Sequence, residues 1–173
     1  MVKPRHQALS ILGLGYSVGT RNRTLQAPVI VVRDFAELER RSAEVKGKIV
    51  VYNFKFESYG QQAVYRGKGA SRAAKHGALA AFIRSLTPLS INSPHTGGQS
   101  KDSSLGCLFF YICLFFISPP LHCATNLVYD QNVTKIPAIS ITVEDAELMQ
   151  RIADRKGGHL MTDEFALFQF PEN

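Results

Sequence analysis

Two segments, residues 46–53 and 69–84, limit most narrowly the folds that this chain can adopt. In the first, a turn at Lys46-Gly47-Lys48 leads into the apolar run Ile49–Tyr52, as expected of a strand that is covered on both faces. In the second, small side chains with good helix propensity reach Gly77, and an apolar strand follows. Together these segments predict a compact β/α module in which a short helix lies close against a sheet.

The residues next to this module extend the same pattern. Val29–Val32 is a β-branched run of strand length. Asp34 occupies an N-cap position and Glu37 the matching capping-box position, which predicts a helix that ends near Gly47. Residues 54–69 are mixed in character, and we expect them to form a loop before a helix of residues 70–76.

A further strand and helix are predicted in the last third of the chain. Ile136–Ile141 has the character of a strand. Thr142 then stands at an N-cap position, and acidic residues follow in the first turn of a helix with one apolar face. This helix is expected to end at Gly157, and residues 165–170 are expected to add one more strand.

Composition limits the size of the protein and the partners that it can have. The 173 residues are enough for one domain, and 45% of them are hydrophobic, which supports a real core. Lys and Arg number 20 against 14 acidic residues, a formal charge of +6. The basic residues are scattered along the chain rather than clustered, so a solvated basic surface is favoured and a nucleic-acid partner is not expected.

The cysteines and histidines form no reactive constellation in the sequence. The three cysteines, Cys107, Cys113 and Cys123, do not have the spacing of a zinc knuckle, and an odd number makes a poor disulfide framework. His122 and Cys123 are adjacent, so on a strand their side chains would point apart. We therefore expect incidental or buried thiols and assign no catalytic residue, no cofactor-binding residue and no metal ligand.

Features of targeting and membrane insertion are weak. The apolar run Leu105–Ile117 has 13 residues, which as a helix would span about 20 Å, short of the roughly 30 Å hydrocarbon core. A hydrophobic hairpin or an aggregation-prone insertion is the favoured interpretation. No signal peptide is predicted at the start of the sequence. Asn22 and Asn132 lie in N-glycosylation sequons and are glycosylation candidates.

Several of these segments together resemble one known domain. Residues 46–52, 69–84 and 136–147 are similar to the protease-associated domain, an accessory module of several peptidases and sorting receptors. Three further strings, residues 11–15, 83–85 and 93–97, resemble the version found in carboxypeptidase Q-type zinc metallopeptidases. The resemblance predicts one protease-associated domain made of residues 8–97 and 130–170. It also predicts that residues 98–129 are a foreign insert, disordered or misassigned.

The resemblance implies a fold and a function. The fold is α/β, with α+β as the alternative: a small mixed sheet or open barrel flanked by two or three helices. The parent family is a secreted or lysosomal dipeptidase, whose two zinc ions lie in a separate peptidase domain. In this chain His76 and His95 are expected to be structural or loop residues. The resemblance thus implies a non-catalytic accessory domain that frames the active site and aids substrate selection or assembly. Its expected partner is the peptidase domain, with a peptide substrate as the second candidate.

Two other functions stay open at the level of sequence. The chain could be a free-standing module that binds a peptide or a partner protein, with the edge of a small sheet as its docking site. Alternatively, it could associate with a membrane through Leu105–Ile117.

Overall fold

The sheet at the centre of the structure has five strands and carries helices on both faces. The computed structural model describes residue 1 and residues 7–20, 24–99 and 136–155. The strands are β1 (Ile11–Gly13), β2 (Val29–Val32), β3 (Ile49–Tyr52), β4 (Ala80–Arg84) and β5 (Ala138–Ile141). The helices are α1 (Phe35–Arg40), α2 (Ser42–Val45), α3 (Tyr59–Lys75) and α4 (Val143–Ala153). This confirms the predicted α/β class and the mixed sheet.

The strands lie in the order β1-β5-β4-β3-β2. Strands β2, β3, β4 and β5 are parallel to one another, whereas β1 pairs with β5 in the antiparallel direction. Ile49 of β3 pairs with Val29 on one side and with Ala80 on the other, so the three strands are aligned row by row. The carboxyl ends of β2, β3 and β4 therefore meet at one edge of the sheet.

Two apolar layers cover the two faces of the sheet. Helices α1, α2 and α3 pack on one face, where Leu38, Ala70 and Ala73 are fully buried against the sheet. Helix α4 packs on the other face through Ala146, Met149 and Ile152. The continuous apolar runs of β2 to β5 follow from this arrangement, since parallel strands with both faces covered have no solvent side.

Local signals in the sequence set the ends of the helices. The Asp34 carboxylate accepts a hydrogen bond from the Glu37 backbone N–H at 2.6 Å, and the Glu37 carboxylate accepts one from the Arg33 N–H at 2.8 Å. Thr142 caps α4 by accepting from the Asp145 N–H at 3.0 Å. Gly77, with φ +80°, ends α3 in the left-handed conformation that glycine adopts without strain.

The prediction of a loop over residues 54–69 was wrong for most of its length. Helix α3 begins at Tyr59, eleven residues before the predicted start at residue 70. Ser58 caps it by accepting from the Gln61 N–H, and the Gln62 side-chain oxygen accepts from the Ser58 N–H at 2.8 Å. Tertiary packing also stabilises this early start of α3, because the Tyr65 ring stacks on Phe54 with centroids 4.6 Å apart.

Smaller corrections concern element ends. The helix predicted after Asp34 is divided at Arg41 into α1 and α2. Strand β4 occupies residues 80–84 where an apolar run of residues 78–83 was expected, and β5 begins at Ala138 rather than Ile136.

Some predictions lie outside the described residues. They concern the three cysteines, the glycosylation candidates Asn22 and Asn132, the apolar run Leu105–Ile117 and the strand of residues 165–170. Among the residues that the structure does describe, no helix has the length and apolar character needed to span a membrane.

Candidate functional site

A polar cleft lies at the carboxyl edge of the parallel strands. Its volume is about 540 Å³, and it lies between the segments that follow β2, β3 and β4 and residues 147–154 in and just after α4. The residues that line it are Arg33, Asn53, Phe54, Lys55, Phe56, Arg84, Pro88, Glu147, Gln150, Arg151 and Asp154. Ligands of open α/β sheets commonly bind in a crevice outside the carboxyl ends of the strands, so this cleft is the candidate functional site.

The sheet register places three polar side chains in one row at this edge. The last paired row joins Val32, Tyr52 and Ile83. One position further along each strand stand Arg33, Asn53 and Arg84. Because side chains alternate between faces, these three lie on the face of the sheet that α4 covers.

Arg84 and Asn53 are buried although both are polar. Arg84 is 6% exposed and Asn53 is 7% exposed. The Arg84 guanidinium donates to the Phe54 carbonyl at 2.8 Å, yet its Nε has no hydrogen-bond partner among the described residues. Burial lowers the pKa of Arg84, while Glu147 and Glu144 act in the opposite direction. Asn53 Oδ1 is likewise buried without a partner in the described part of the chain.

The rim of the cleft is charged and partly paired. Arg33 and Asp154 form an exposed ion pair with 3.7 Å between Nη2 and Oδ2. The Gln150 amide donates to Asp154 Oδ1 at 2.9 Å. Arg33, Lys55, Arg84 and Arg151 outnumber the acidic residues Glu147 and Asp154 in the lining, so the cleft carries a net positive charge.

The loop of residues 85–97 joins this edge to β5 and β1. The Ser85 hydroxyl donates to the Ile141 carbonyl at 2.7 Å and accepts from the His95 N–H at 2.8 Å. Ser140 donates to the His95 carbonyl, and Thr96 donates to the Gly13 carbonyl, each at 2.7 Å. The three short strings that resembled the carboxypeptidase Q type thus contact one another around β5.

One turn of this loop presents apolar side chains to solvent. Ile91 is 82% exposed and Leu89 is 70% exposed. Ile91 has φ +49°, a conformation that β-branched residues rarely adopt. Glu144 holds the turn, because its carboxylate accepts from the Ser90 and Ile91 N–H groups at 3.1 and 3.2 Å. Burial acts to raise the pKa of Glu144, but these and other donors outweigh it and hold that pKa below its ordinary value.

The two histidines in the described residues lie apart from each other in the fold. His76 caps the end of α3, where its Nε2 lies 3.1 Å from Oε2 of Glu39. His95 lies in the loop that joins β4 to β5, with its ring 6.0 Å from that of Tyr59. Within residues 7–20, 24–99 and 136–155, no group of three or more His, Cys, Asp or Glu side chains could hold a metal ion.

Sequence reasoning missed the polar row at the sheet edge. Arg84 was part of a matching string, but Asn53 and Gln150 received no role. A signal was present, since each of Arg33, Asn53 and Arg84 directly ends or follows a buried apolar run. Polar residues at those points of parallel strands gather at one edge.

Comparison with solved structures defines the class of protein to which this fold belongs. A peptidase M28 precursor from Shewanella amazonensis superposes with a TM-score of 0.66 at 26% identity, over 89% of this chain and 30% of that chain. A zinc aminopeptidase from Bacillus subtilis shares the fold, with a TM-score of 0.51 at 19% identity. The domain is thus of a kind found within larger peptidase chains.

Comparison with curated proteins gives a narrower result. The chain is 48% identical to carboxypeptidase Q of Xenopus laevis over 155 residues and 43% identical to human carboxypeptidase Q over 153 residues. No protein-family model matches. The chain is therefore homologous to one segment of carboxypeptidase Q, which confirms the predicted resemblance. That segment is 27% of the frog protein, although the match covers 90% of this chain.

Proposed function

We propose that this chain is a non-catalytic accessory domain of the protease-associated type from a carboxypeptidase Q-like zinc dipeptidase. Its partner is the peptidase domain, whose active site it frames and whose substrate selection or assembly it aids. The proposal rests on the match of this chain to about a quarter of carboxypeptidase Q. This matching segment has a sheet and two apolar layers of its own. The two zinc ions of the parent family belong to the peptidase domain.

The turn at Leu89 and Ile91 is the part of the surface that best fits a contact with that domain. Two large apolar side chains are exposed there, and the backbone at Ile91 is strained. Strained backbone that the surrounding structure holds in place is concentrated at functional sites. The relatives contain far more chain than this domain, so the remainder of the peptidase is the partner that would cover the turn.

The location of the protein follows from the same proposal. The parent enzyme is secreted or lysosomal, and Asn22 and Asn132 are then glycosylation sites. Treatment of protein made in animal cells with an endoglycosidase tests this point. We expect a mass decrease that the Asn22→Gln and Asn132→Gln variants reduce stepwise, and an unchanged mass would contradict the assignment.

Hydrolysis of a dipeptide by the purified chain with added zinc tests the absence of catalysis. Frog carboxypeptidase Q, prepared in the same way, serves as the positive control. We expect no turnover by the isolated chain. Turnover that co-elutes with the chain and persists after a second, unrelated purification would refute the proposal.

The turn is tested in a hybrid enzyme, which we define as frog carboxypeptidase Q with this chain in place of its matching segment. In the isolated chain, Ile91→Gly should raise the free energy of unfolding by about 1 kcal/mol, because glycine adopts a positive φ without strain. In the hybrid enzyme the same change should lower kcat/KM or the thermal midpoint. Leu79→Ala, at an exposed apolar residue elsewhere, is the matched control. Equal effects of the two substitutions in the hybrid would contradict a role for the turn.

A further inference from the structure

The apolar turn, which we define as residues 89–93, has a backbone conformation that its own sequence does not favour. The Ser93 N–H donates to the Ser90 carbonyl at 2.9 Å and closes the turn. Both residues between them have positive φ, +49° at Ile91 and +58° at Asn92. Turns of this kind are dominated by glycine, asparagine and aspartate at the two central positions. Because Ile91 is β-branched, an interaction from outside the turn is needed to hold it.

Glu144 of α4 provides that interaction. Its Oε1 accepts from the Ser90 N–H at 3.1 Å and from the Ile91 N–H at 3.2 Å. A second contact fixes the base of the turn, because the Val143 N–H donates to Ser90 Oγ at 2.9 Å. This hydroxyl contact involves no charged group, whereas the hydrogen bond of the Ile91 N–H depends on one carboxylate oxygen. The conformation of Ile91 is therefore sensitive to the charge of Glu144.

The charged groups near Glu144 belong to α4, to β4 and to the start of the chain, since the apolar turn has no titratable side chain. Arg84 of β4 interacts with both Glu147 and Glu144. Burial raises the pKa of Asp145, and the charge of Glu144 acts in the same direction while the Met1 amino group opposes it. Burial also acts to raise the pKa of Glu144, but its hydrogen-bond donors outweigh burial and hold that pKa below its ordinary value. Glu144 is thus charged at neutral pH.

We propose that Glu144 is an acid-sensitive latch that holds the apolar turn. While its carboxylate is charged, two hydrogen bonds to one anionic oxygen keep Ile91 at positive φ and fix the position of its exposed side chain. When the carboxylate takes up a proton, these bonds weaken, because a charge-assisted hydrogen bond is roughly twice as strong as a neutral one. The backbone of Ile91 then relaxes toward negative φ, while Ser90 stays bound to α4 through its hydroxyl.

The direction of the pKa shift sets the pH range in which the latch opens. A glutamate whose pKa is lowered in the folded state contributes stability that is complete above its ordinary value of about 4.3 and is lost as the pH falls through the lowered value. The apolar turn is therefore held at neutral pH and released in acid. The latch is a property of this domain alone, whereas its effect on contact with the peptidase domain rests on the accessory role proposed above.

Amide hydrogen exchange of the full chain at pH 7, measured by solvent-exchange NMR, tests the latch. Glu144→Gln keeps the shape of the side chain and removes its charge, and Glu57→Gln, at an exposed glutamate before α3, is the matched control. In Glu144→Gln we expect the Ser90 and Ile91 amides to exchange about tenfold faster, because charge-assisted hydrogen bonds become neutral ones. The amides of β3 should keep their protection, and the control should match the natural chain. Unchanged exchange at Ile91, or an equal acceleration in β3, would overturn the proposal.

A pH titration of the same two amides distinguishes the latch from a contact that is only structural. In the natural chain their protection, corrected for the intrinsic exchange rate at each pH, should fall between about pH 5 and pH 3. In Glu144→Gln it should not change over this range. A fall that persists in Glu144→Gln would assign the effect to another carboxyl group, such as Asp145, and would contradict the proposal. If circular dichroism shows that the natural chain unfolds first, the comparison at pH 7 alone decides.

The hybrid enzyme distinguishes failure of the latch from failure of the accessory role. There Glu144→Gln should lower kcat/KM or the thermal midpoint, and Glu57→Gln should not. If exchange at Ile91 is faster but the hybrid is unaffected, the latch is confirmed and the docking role of the turn is refuted. If exchange at Ile91 is unchanged, the latch is refuted whatever the hybrid shows.

Discussion

Replacement of Tyr52 by phenylalanine should destabilise the domain near neutral pH and stabilise it relative to the natural chain in strong alkali. The Tyr52 side chain is fully buried between the sheet and α3, and its hydroxyl donates to the Gly69 carbonyl at 2.8 Å. Loss of one such hydrogen bond costs about 1 kcal/mol. At pH 8 we therefore expect the free energy of unfolding to fall by about that amount in Tyr52→Phe.

The alkaline effect follows from the pKa of the same group. Burial raises the pKa of Tyr52 far above its ordinary value, so the phenol stays protonated in the folded domain. In the unfolded chain it releases its proton near pH 10. The stability contributed by the neutral phenol is complete below that pH and is lost above it, by up to about 1.4 kcal/mol per pH unit. The two proteins should be equally stable between about pH 10 and pH 11.

Urea unfolding at several pH values from 7 to 11.5, followed by circular dichroism, measures this crossover. The pKa of Tyr65 is also raised by burial, but Tyr65 is present in both proteins and its effect cancels in the difference. Tyr59→Phe, at a half-exposed tyrosine, is the control and should show no crossover. A constant difference between Tyr52→Phe and the natural chain up to pH 11.5 would show that the folded domain does not keep the Tyr52 phenol protonated.

Two further substitutions test the ends of the helices. Thr142→Ala removes the side chain that caps α4 and should lower the free energy of unfolding by about 1 kcal/mol, measured by urea unfolding; no change would show that the cap contributes nothing. Gly77→Ala forces a side chain into φ +80° beside Lys46 and should cost about 1–2 kcal/mol. Gly60→Ala, with open space around its Cβ position, is its control and should be neutral or slightly stabilising. Equal losses in both would contradict the role given to Gly77.

Local sequence signals were sufficient for most of the fold. Asp34, Thr142, Gly47 and Gly77 each stand where a helix begins or ends, and they act through hydrogen bonds and dihedral angles that depend on few neighbours. The β-branched and apolar runs became strands because both faces of the sheet are covered. Such features are visible in a single sequence.

The start of α3 could not be predicted because long-range packing determines it. Gly60, Gly67 and Gly69 lower the helix propensity of this segment. In the fold Gly69 is required, since a Cβ there would lie 2.9 Å from Cδ1 of Ile83 and 3.0 Å from the Tyr52 ring. A residue that weakens the isolated helix thus allows the helix to approach the sheet closely.

The candidate site was hidden for a related reason. Arg33, Asn53 and Arg84 are separated by 20 and 31 positions in the sequence. They form one row only because β2, β3 and β4 are neighbours and are paired in register. That order results from pairing between distant segments, which no local pattern encodes. The positive φ of Ile91 is hidden in the same way, because the hydrogen bond that holds this turn comes from Glu144 in another element.

Dipeptide hydrolysis by the hybrid enzyme tests whether this chain is an accessory domain of a peptidase. Two hybrids are compared, one with the whole chain and one without residues 98–129, alongside frog carboxypeptidase Q that lacks the matching segment and the isolated chain. We expect activity in at least the hybrid without residues 98–129, and none in the isolated chain or in the frog protein without the segment. Hydrolysis by the isolated chain, or two folded hybrids without activity, would contradict the accessory role.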